Sequence, residues 1–253
     1  MTLGLMPLGI CYRMKAIRSQ SPAMTFILTN DDGIDAPGIA ALRQALGLMG
    51  ISQSVTVAPK RPHSGCSHQL TRGRPMAIER RSPVEMAVEG TPADCTRVAI
   101  SALVPDAKWV LSGINAGGNL GADIYVSGTV AAVREGLLHR VPGVAISHYI
   151  KERQPIDWDL AAQMSAQVLT QLLDQPHEPG TFWNVNLPHI SVSDPMPEMV
   201  FCPVCSQPLP TDYLLEEDSI RYVGTYAQRP RDPGSDIALC FSGAIAISQV
   251  RVY

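Results

Sequence analysis

Short apolar runs alternate with stretches of helical periodicity along this chain, and that alternation limits its fold more than any other feature. "TFILT" (25–29) is a β-prone run, and the segment after it sets Ile39, Leu42, Leu46 and Met49 at helical spacing. "SVTVAP" (54–59), "KWVLSG" (108–113), "GVAIS" (143–147) and "FWNVNLP" (182–188) read as further strands. Helix signals lie between them. Thr91, Pro92 and Asp94 supply an N-cap, a proline at the first helical position and a capping-box acid. Val130, Val133 and Leu137 share one face of a helix that begins near residue 127, and another helix runs from about 157 to 173. Apolar strands separated by helices predict an α/β fold, a mostly parallel sheet covered by helices on both faces. The segment "GRPMAIERRSPVEMAVEGT" (73–91) interrupts the rhythm and reads as an inserted hairpin.

After Pro188 the pattern gives way to a Pro-rich, acidic stretch, and it returns only in "DIALCFSGAIAISQVRVY", where two apolar runs flank Ser242 and Gly243. The expected organisation is an N-terminal extension over 1–23 outside the fold, a catalytic core over 24–190, and an arm or hairpin with a final strand over 191–253. Met24 stands directly before the first strand and is a candidate start. The opening stretch turns from apolar to basic, the reverse of a secretory signal, and its apolar run is too short to cross a bilayer. The expectation is a cytoplasmic protein with no membrane association.

A formal charge of −3 and a pI near 6.1 give no basic footprint for a nucleic-acid polymer, but leave room for a small anionic substrate. The six cysteines are scattered and do not form a disulfide framework. "CPVC" (202–205) is a lone CxxC, read as ordinary side chains in a turn. The six histidines show no metal-binding spacing, and only His63 and His68 fall in a polar loop of interest. "GINAGGNLG" is not a dinucleotide fingerprint, which disfavours an NAD-dependent oxidoreductase. Neither a P-loop nor a GxSxG elbow occurs.

In an open α/β sheet, ligands bind beyond the carboxyl ends of the strands. Three segments there hold most of the unexplained polarity: Asn30-Asp31-Asp32-Gly33, "KRPHSGCSHQLT" (60–71) and "SGINAGGNLGADIYVSGT" (112–129). Adjacent Asp31 and Asp32 are hard oxygen donors suited to Mg²⁺ or Mn²⁺, with Ser64 and Asn115 available as neutral oxygens. The residues alone leave a second reading open, an Asx turn that leads into a helix. Ser127, Gly128 and Thr129 stand at a helix start, where they read either as a cap or as a phosphate cradle.

Together, "TNDDGIDAPGI", "VAPKRPHSGCSHQLT", "GTPADCTRVAI", "LSGINAGGNLGADIYVSGTVAAVREG", "GVAIS" and "NVNLP" closely resemble the survival protein SurE family over about 25–188, with "SDIALCFSGAIAIS" similar to its terminal strand. The resemblance implies a Rossmann-like fold and a metal-dependent phosphatase for nucleoside 5′- and 3′-monophosphates, in some members also for short polyphosphate. It implies a C-terminal arm exchanged in a homodimer or homotetramer. It also implies one divalent cation per subunit, held by Asp31, Asp32, Ser64 and Asn115. On that reading phosphate rests on Ser127, Gly128 and Thr129, Asn119 donates from its side chain, and Asp31 is the first candidate base. Direct attack by Asp31 is the competitor. The chain departs from the family pattern at Lys60, where an acid is usual, and at His63. Those two positions bear on substrate preference and keep a non-catalytic nucleotide-binding regulator in view as the alternative.

Overall fold

The computed structural model describes residues 25–253. The expectations for residues 1–23 and for Met24 therefore lie outside the described residues. The first strand, β1 (Thr25–Thr29), leads through α1 (Pro37–Leu48) to β2 (Ser54–Pro59). The inserted hairpin is β3 (Ile78–Ser82) and β4 (Glu85–Val88), followed by α2 (Pro92–Val98) and a π turn over 99–103. Then come β5 (Ala107–Ala116), a short 3-10 turn over 121–125, α3 (Gly128–Leu138), β6 (Gly143–His148), α4 (Trp158–Leu173) and β7 (Thr181–Leu187). The C-terminal part adds β8 (Met199–Phe201), the hairpin β9 (Tyr213–Glu216) and β10 (Ser219–Tyr222), α5 (Asp236–Phe241) and β11 (Ile245–Arg251).

Nine strands form one sheet in the order β3-β4-β2-β1-β5-β6-β7-β11-β8. The centre from β4 to β7 is parallel, and β3 and β11 run antiparallel to their neighbours β4 and β7. The period of two along each strand divides the core. Phe26 and Leu28 pack with α1 and α4 on one face, while Ile27 packs with α2 and α3 on the other. Because both faces are covered, the central strands carry apolar residues at consecutive positions.

Two differences from the sequence reading have physical causes. The strand expected over 108–113 continues to Ala116, and Gly113 lies inside it at φ +139°, where a Cβ would collide with the Ile146 carbonyl. Asn115 thus sits on a strand end and not in a loop. The apolar run before Ser242 is a helix, α5, and only the run after it is a strand; five apolar residues are too few for periodicity to separate the two. Strand β11 pairs with β7 over six register positions from Arg251↔Thr181 to Ala246↔Asn186, so the last part of the chain belongs to the central sheet. The β9–β10 hairpin forms a separate two-stranded sheet with every residue exposed.

Chain order runs outward from β1 through β2 and then, in the opposite direction, from β5 through β7. The reversal point, between β1 and β5, is where such a sheet opens a crevice. Helix α1 crosses that end of β5 closely enough that a Cβ on Gly38 would overlap the Ile114 carbonyl oxygen, whereas a Cβ on Gly47 of the same helix meets nothing within 4 Å. Gly38→Ala is expected to destabilise by about 2–3 kcal/mol through overpacking. Gly47→Ala is expected to stabilise by about 0.5–1 kcal/mol through helix propensity. Urea denaturation of the two variants checks both signs.

Candidate functional site

The turn after β1 is set by its own side chains. Asn30 donates from Nδ2 to the Gly33 carbonyl at 2.8 Å, and Gly33 takes φ +99°, a left-handed conformation that favours glycine. This turn aims Asp31 and Asp32 at the crevice between β1 and β5. A cavity of about 280 Å³ opens there, lined among others by Asp31, Asp32, Ser64, Asn115, Asn119 and Ser127. Six of the eight residues singled out from the sequence therefore meet in one place.

The other two, Gly128 and Thr129, lie behind the carboxylates. Thr129 is fully buried and its hydroxyl donates to Asp31 Oδ1, with its backbone N–H directed at the same carboxylate. A Cβ on Gly128 would stand 2.8 Å from Asp31 Cβ, so glycine lets the start of α3 press against the aspartate. The helix N-terminus expected to cradle phosphate is thus partly spent on Asp31, and Thr129 is a carboxylate partner and not a cavity residue. Ser127 caps the helix by accepting from the Val130 N–H at 3.1 Å and remains at the cavity wall.

Asp31 is 6% exposed, and burial, with the charge of Asp32 adding to it against the Thr129 hydrogen bond, raises its pKa to about 6. Burial also raises Asp32, against a backbone hydrogen bond from Ala116 N–H to Oδ2 at 3.1 Å. Neither carboxylate forms an ion pair with a side chain among the described residues. Asn115 donates from Nδ2 to the Gly117 carbonyl at 2.7 Å, which leaves its amide oxygen uncommitted. The donor set is two carboxylates and neutral oxygens, a hard set. No group of three His, Cys, Asp or Glu side chains suited to a metal occurs among the described residues.

The loop over 60–71 that presents Ser64 is fastened at several points. His63 N–H donates to the Asp31 carbonyl at 2.7 Å, and Ser67 bonds through N and Oγ to the carbonyls of Val126 and Tyr125. Thr71 binds the Asp94 carboxylate, and Thr91 Oγ1 donates to the Gln69 carbonyl at 2.6 Å. His68 accepts from Arg134 Nε at Nδ1, so its Nε2 carries the proton that it donates to Glu135 at 2.8 Å. Glu135 is buried and also holds Arg97 and His139. Burial alone would raise its pKa, but the bonds from His68 and Arg97 and the Arg97 charge outweigh that and hold it at about 2.

Sequence reasoning assigned no role to several residues that complete the site. Asn184 and Asn186, alternate residues on one face of β7, clamp the backbone of Asn119, whose side chain donates to Ser147 at 2.8 Å. Two asparagines at period two in an otherwise apolar strand were the available signal. Asp123 and Tyr226 also line the cavity, with Tyr226 O–H donating to Asp123 at 2.7 Å. Fully buried Arg229 ties to the same carboxylate at 2.6 Å and to the Leu120 carbonyl at 3.2 Å. These contacts join residues more than a hundred positions apart, and no local pattern announces them. Cys202 and Cys205 of the lone CxxC pack beside β11 and α5 as thiols.

Fold and site together define a class: an open, mostly parallel α/β protein with an oxygen-donor pocket at its topological switch point. Within that class, this chain belongs to the SurE family. The model of the family described as "Survival protein SurE" matches residues 26–208. A protein of Nostoc sp. named a putative 5′-nucleotidase is 57% identical over 90% of this chain and all of its own. A protein of Halorhodospira halophila named 5′-nucleotidase SurE is 33% identical over 90% of this chain and 92% of its own. The crystal structure of the SurE protein from Aquifex aeolicus superposes with a TM-score of 0.78 at 29% identity, over 90% of this chain and 93% of that one.

The two buried carboxylates act on stability in opposite senses. With a folded pKa near 6 against an ordinary 3.8, Asp31 binds its proton more tightly in the folded state. As pH rises through that interval, metal-free protein loses up to about 3 kcal/mol and does not regain it. Glu135 contributes stability that is complete above its ordinary 4.5 and is lost as pH falls toward 2. In EDTA at pH 7.5, Asp31→Asn is expected to be more stable than the parent chain, and Glu135→Gln less stable by about 3 kcal/mol. Denaturant midpoints across pH 2 to 8 read both.

Proposed function

We propose that this chain is a divalent-metal-dependent phosphatase that hydrolyses nucleoside 5′-monophosphates to nucleoside and phosphate, and extends to 3′-monophosphates and short polyphosphate. The observation that carries the reading is the meeting of Asp31, Asp32, Ser64 and Asn115 at one cavity, with both carboxylates lacking a side-chain cation among the described residues. The relatives named 5′-nucleotidase supply the reaction class.

The upward shifts of Asp31 and Asp32 fit a cation: Asp31 is buried and Asp32 half-buried, the two carboxylates are adjacent, and no cationic side chain among the described residues answers them. Those two side chains, with Ser64 and the uncommitted oxygen of Asn115, would hold one Mg²⁺ or Mn²⁺ per subunit. Such an ion supplies Lewis acidity toward a phosphate oxygen and acidifies a bound water.

The chain's own groups carry the remaining work. Thr129 fixes Asp31 through Oδ1, leaving Oδ2 to take a proton from the attacking water. Direct attack by that oxygen to give an aspartyl-phosphate is the competing route. Asn119, held by Ser147 and by the β7 asparagines, offers an amide donor where equatorial oxygens gather charge. Ser127 and the Gly128 N–H mark the positive end of α3 beside it. Tyr226, whose phenol donates to Asp123, lines the same cavity.

Five described cysteines are unpaired, which supports a reducing, cytoplasmic setting, and no described helix is long and apolar enough to cross a membrane. The β9–β10 hairpin exposes Leu214, Leu215 and Ile220, which supports its use as an arm in a homodimer or homotetramer. Purified protein is expected to release phosphate from AMP, GMP or CMP with Mn²⁺ or Mg²⁺ and to stop in EDTA. Asp32→Asn is expected to lower turnover at least about 100-fold with an unchanged circular-dichroism spectrum. Turnover that survives both EDTA and that substitution contradicts the metal site.

A further inference from the structure

The loop that presents Ser64 has a second, unassigned character. Residues 60–81 carry six basic side chains (Lys60, Arg61, Arg72, Arg74, Arg80 and Arg81) against the single acid Glu79, in a chain whose formal charge is −3. Four groups of this segment, Lys60, Arg61, His63 and Arg74, line a cavity of about 220 Å³ closed by Val88 and Glu89. Lys60 is answered by Glu79 at 3.1 Å and by Glu89 at 3.7 Å. Arg61 and Arg74 form no ion pair among the described residues.

This cavity adjoins the carboxylate cavity through the backbone. His63 lines the basic cavity while its N–H donates to the Asp31 carbonyl, and the next two residues, Ser64 and Gly65, line the acidic one. The Arg61 carbonyl carbon lies 3.4 Å from where a Gly33 Cβ would stand, so Arg61 is seated against the turn that carries both aspartates. Two exposed guanidiniums without an ion-pair partner among the described residues share the lining of this cavity, and their planar forks match phosphate oxygens. A phosphate without a cation of its own is repelled from the neighbouring cavity by Asp31 and Asp32, which leaves the basic one as its place.

We propose that Arg61 and Arg74, with Lys60 and His63, form an anion subsite for a second phosphate carried by the substrate. The proposal rests on the phosphatase reading for the first phosphate. It gives Lys60 and His63 a role in choosing substrates that bear two phosphoryl groups over those that bear one. The second group is borne on the ribose, as in adenosine 3′,5′-bisphosphate, or in a chain, as in ADP.

The test is equilibrium binding of non-hydrolysable phosphonate analogues of AMP, adenosine 3′,5′-bisphosphate and ADP to the Mn²⁺-loaded full chain, where the first phosphate has its cation and turnover is absent, alongside KM values for the nucleotides themselves. At least one doubly phosphorylated ligand is expected to bind about tenfold more tightly than AMP, and Arg61→Ala/Arg74→Ala is expected to erase that difference while AMP kinetics stay within about twofold. A gain confined to the bisphosphate assigns the ribose-borne group, and a gain confined to ADP assigns the chain. Equal affinities for all three ligands, or a preference that survives the double substitution, overturns the subsite. If AMP is not hydrolysed but the binding preference appears and is lost in the variant, the subsite stands and the phosphatase reading fails.

Discussion

The mutual repulsion of Asp31 and Asp32, both withdrawn from water at the end of β1, is the constraint on which the rest of the site depends. Two adjacent carboxylates in a partly buried turn are unfavourable, and each neighbouring element contributes to holding them there. Asn30 and Gly33 shape the turn, Thr129 and the close approach at Gly128 clamp Asp31 from α3, and Ala116 N–H holds Asp32 from β5. None of these contacts removes the negative charge. They orient it, which is what a site built to receive a cation requires.

A second buried charge serves the opposite purpose. Glu135 is fully compensated by Arg97, His68 and His139, and His68 belongs to the loop that presents Ser64. The network therefore converts a desolvated carboxylate into a fastening between α3 and that loop. Asp123 does similar work at the cavity, where Arg229 and Tyr226 bring the C-terminal segment against it. One fold thus contains neutralised carboxylates that act as rivets and un-neutralised ones that act as a binding site. The partners each one finds tell the two kinds apart.

What was legible in the sequence was local. The strand-end polar residues could be found because an apolar run followed by Asn30-Asp31-Asp32-Gly33 marks its own boundary, and because Asn115, although inside β5, lies one residue from its end, where sheet topology brings it to the same crevice. Thr129 was legible as a helix-start residue but not as a partner of Asp31, since that contact spans 98 positions. Tyr226, Arg229 and Asp123 were invisible for the same reason. The six-residue run ending at Phe241 carried too few turns to declare itself a helix, and Gly113 resembled a strand end because a glycine inside a strand is uncommon.

The most direct test of the central claim is a calorimetric titration of Mn²⁺ into the metal-free protein, repeated in buffers of different ionisation enthalpy at pH 6 and pH 8. If Asp31 and Asp32 are kept uncompensated for a cation, one ion binds per chain, and Asp31, with its metal-free pKa near 6, releases about half a proton on binding at pH 6 and almost none at pH 8. Absence of binding, or binding that releases no more protons at pH 6 than at pH 8, would show that the paired aspartates do not receive a metal.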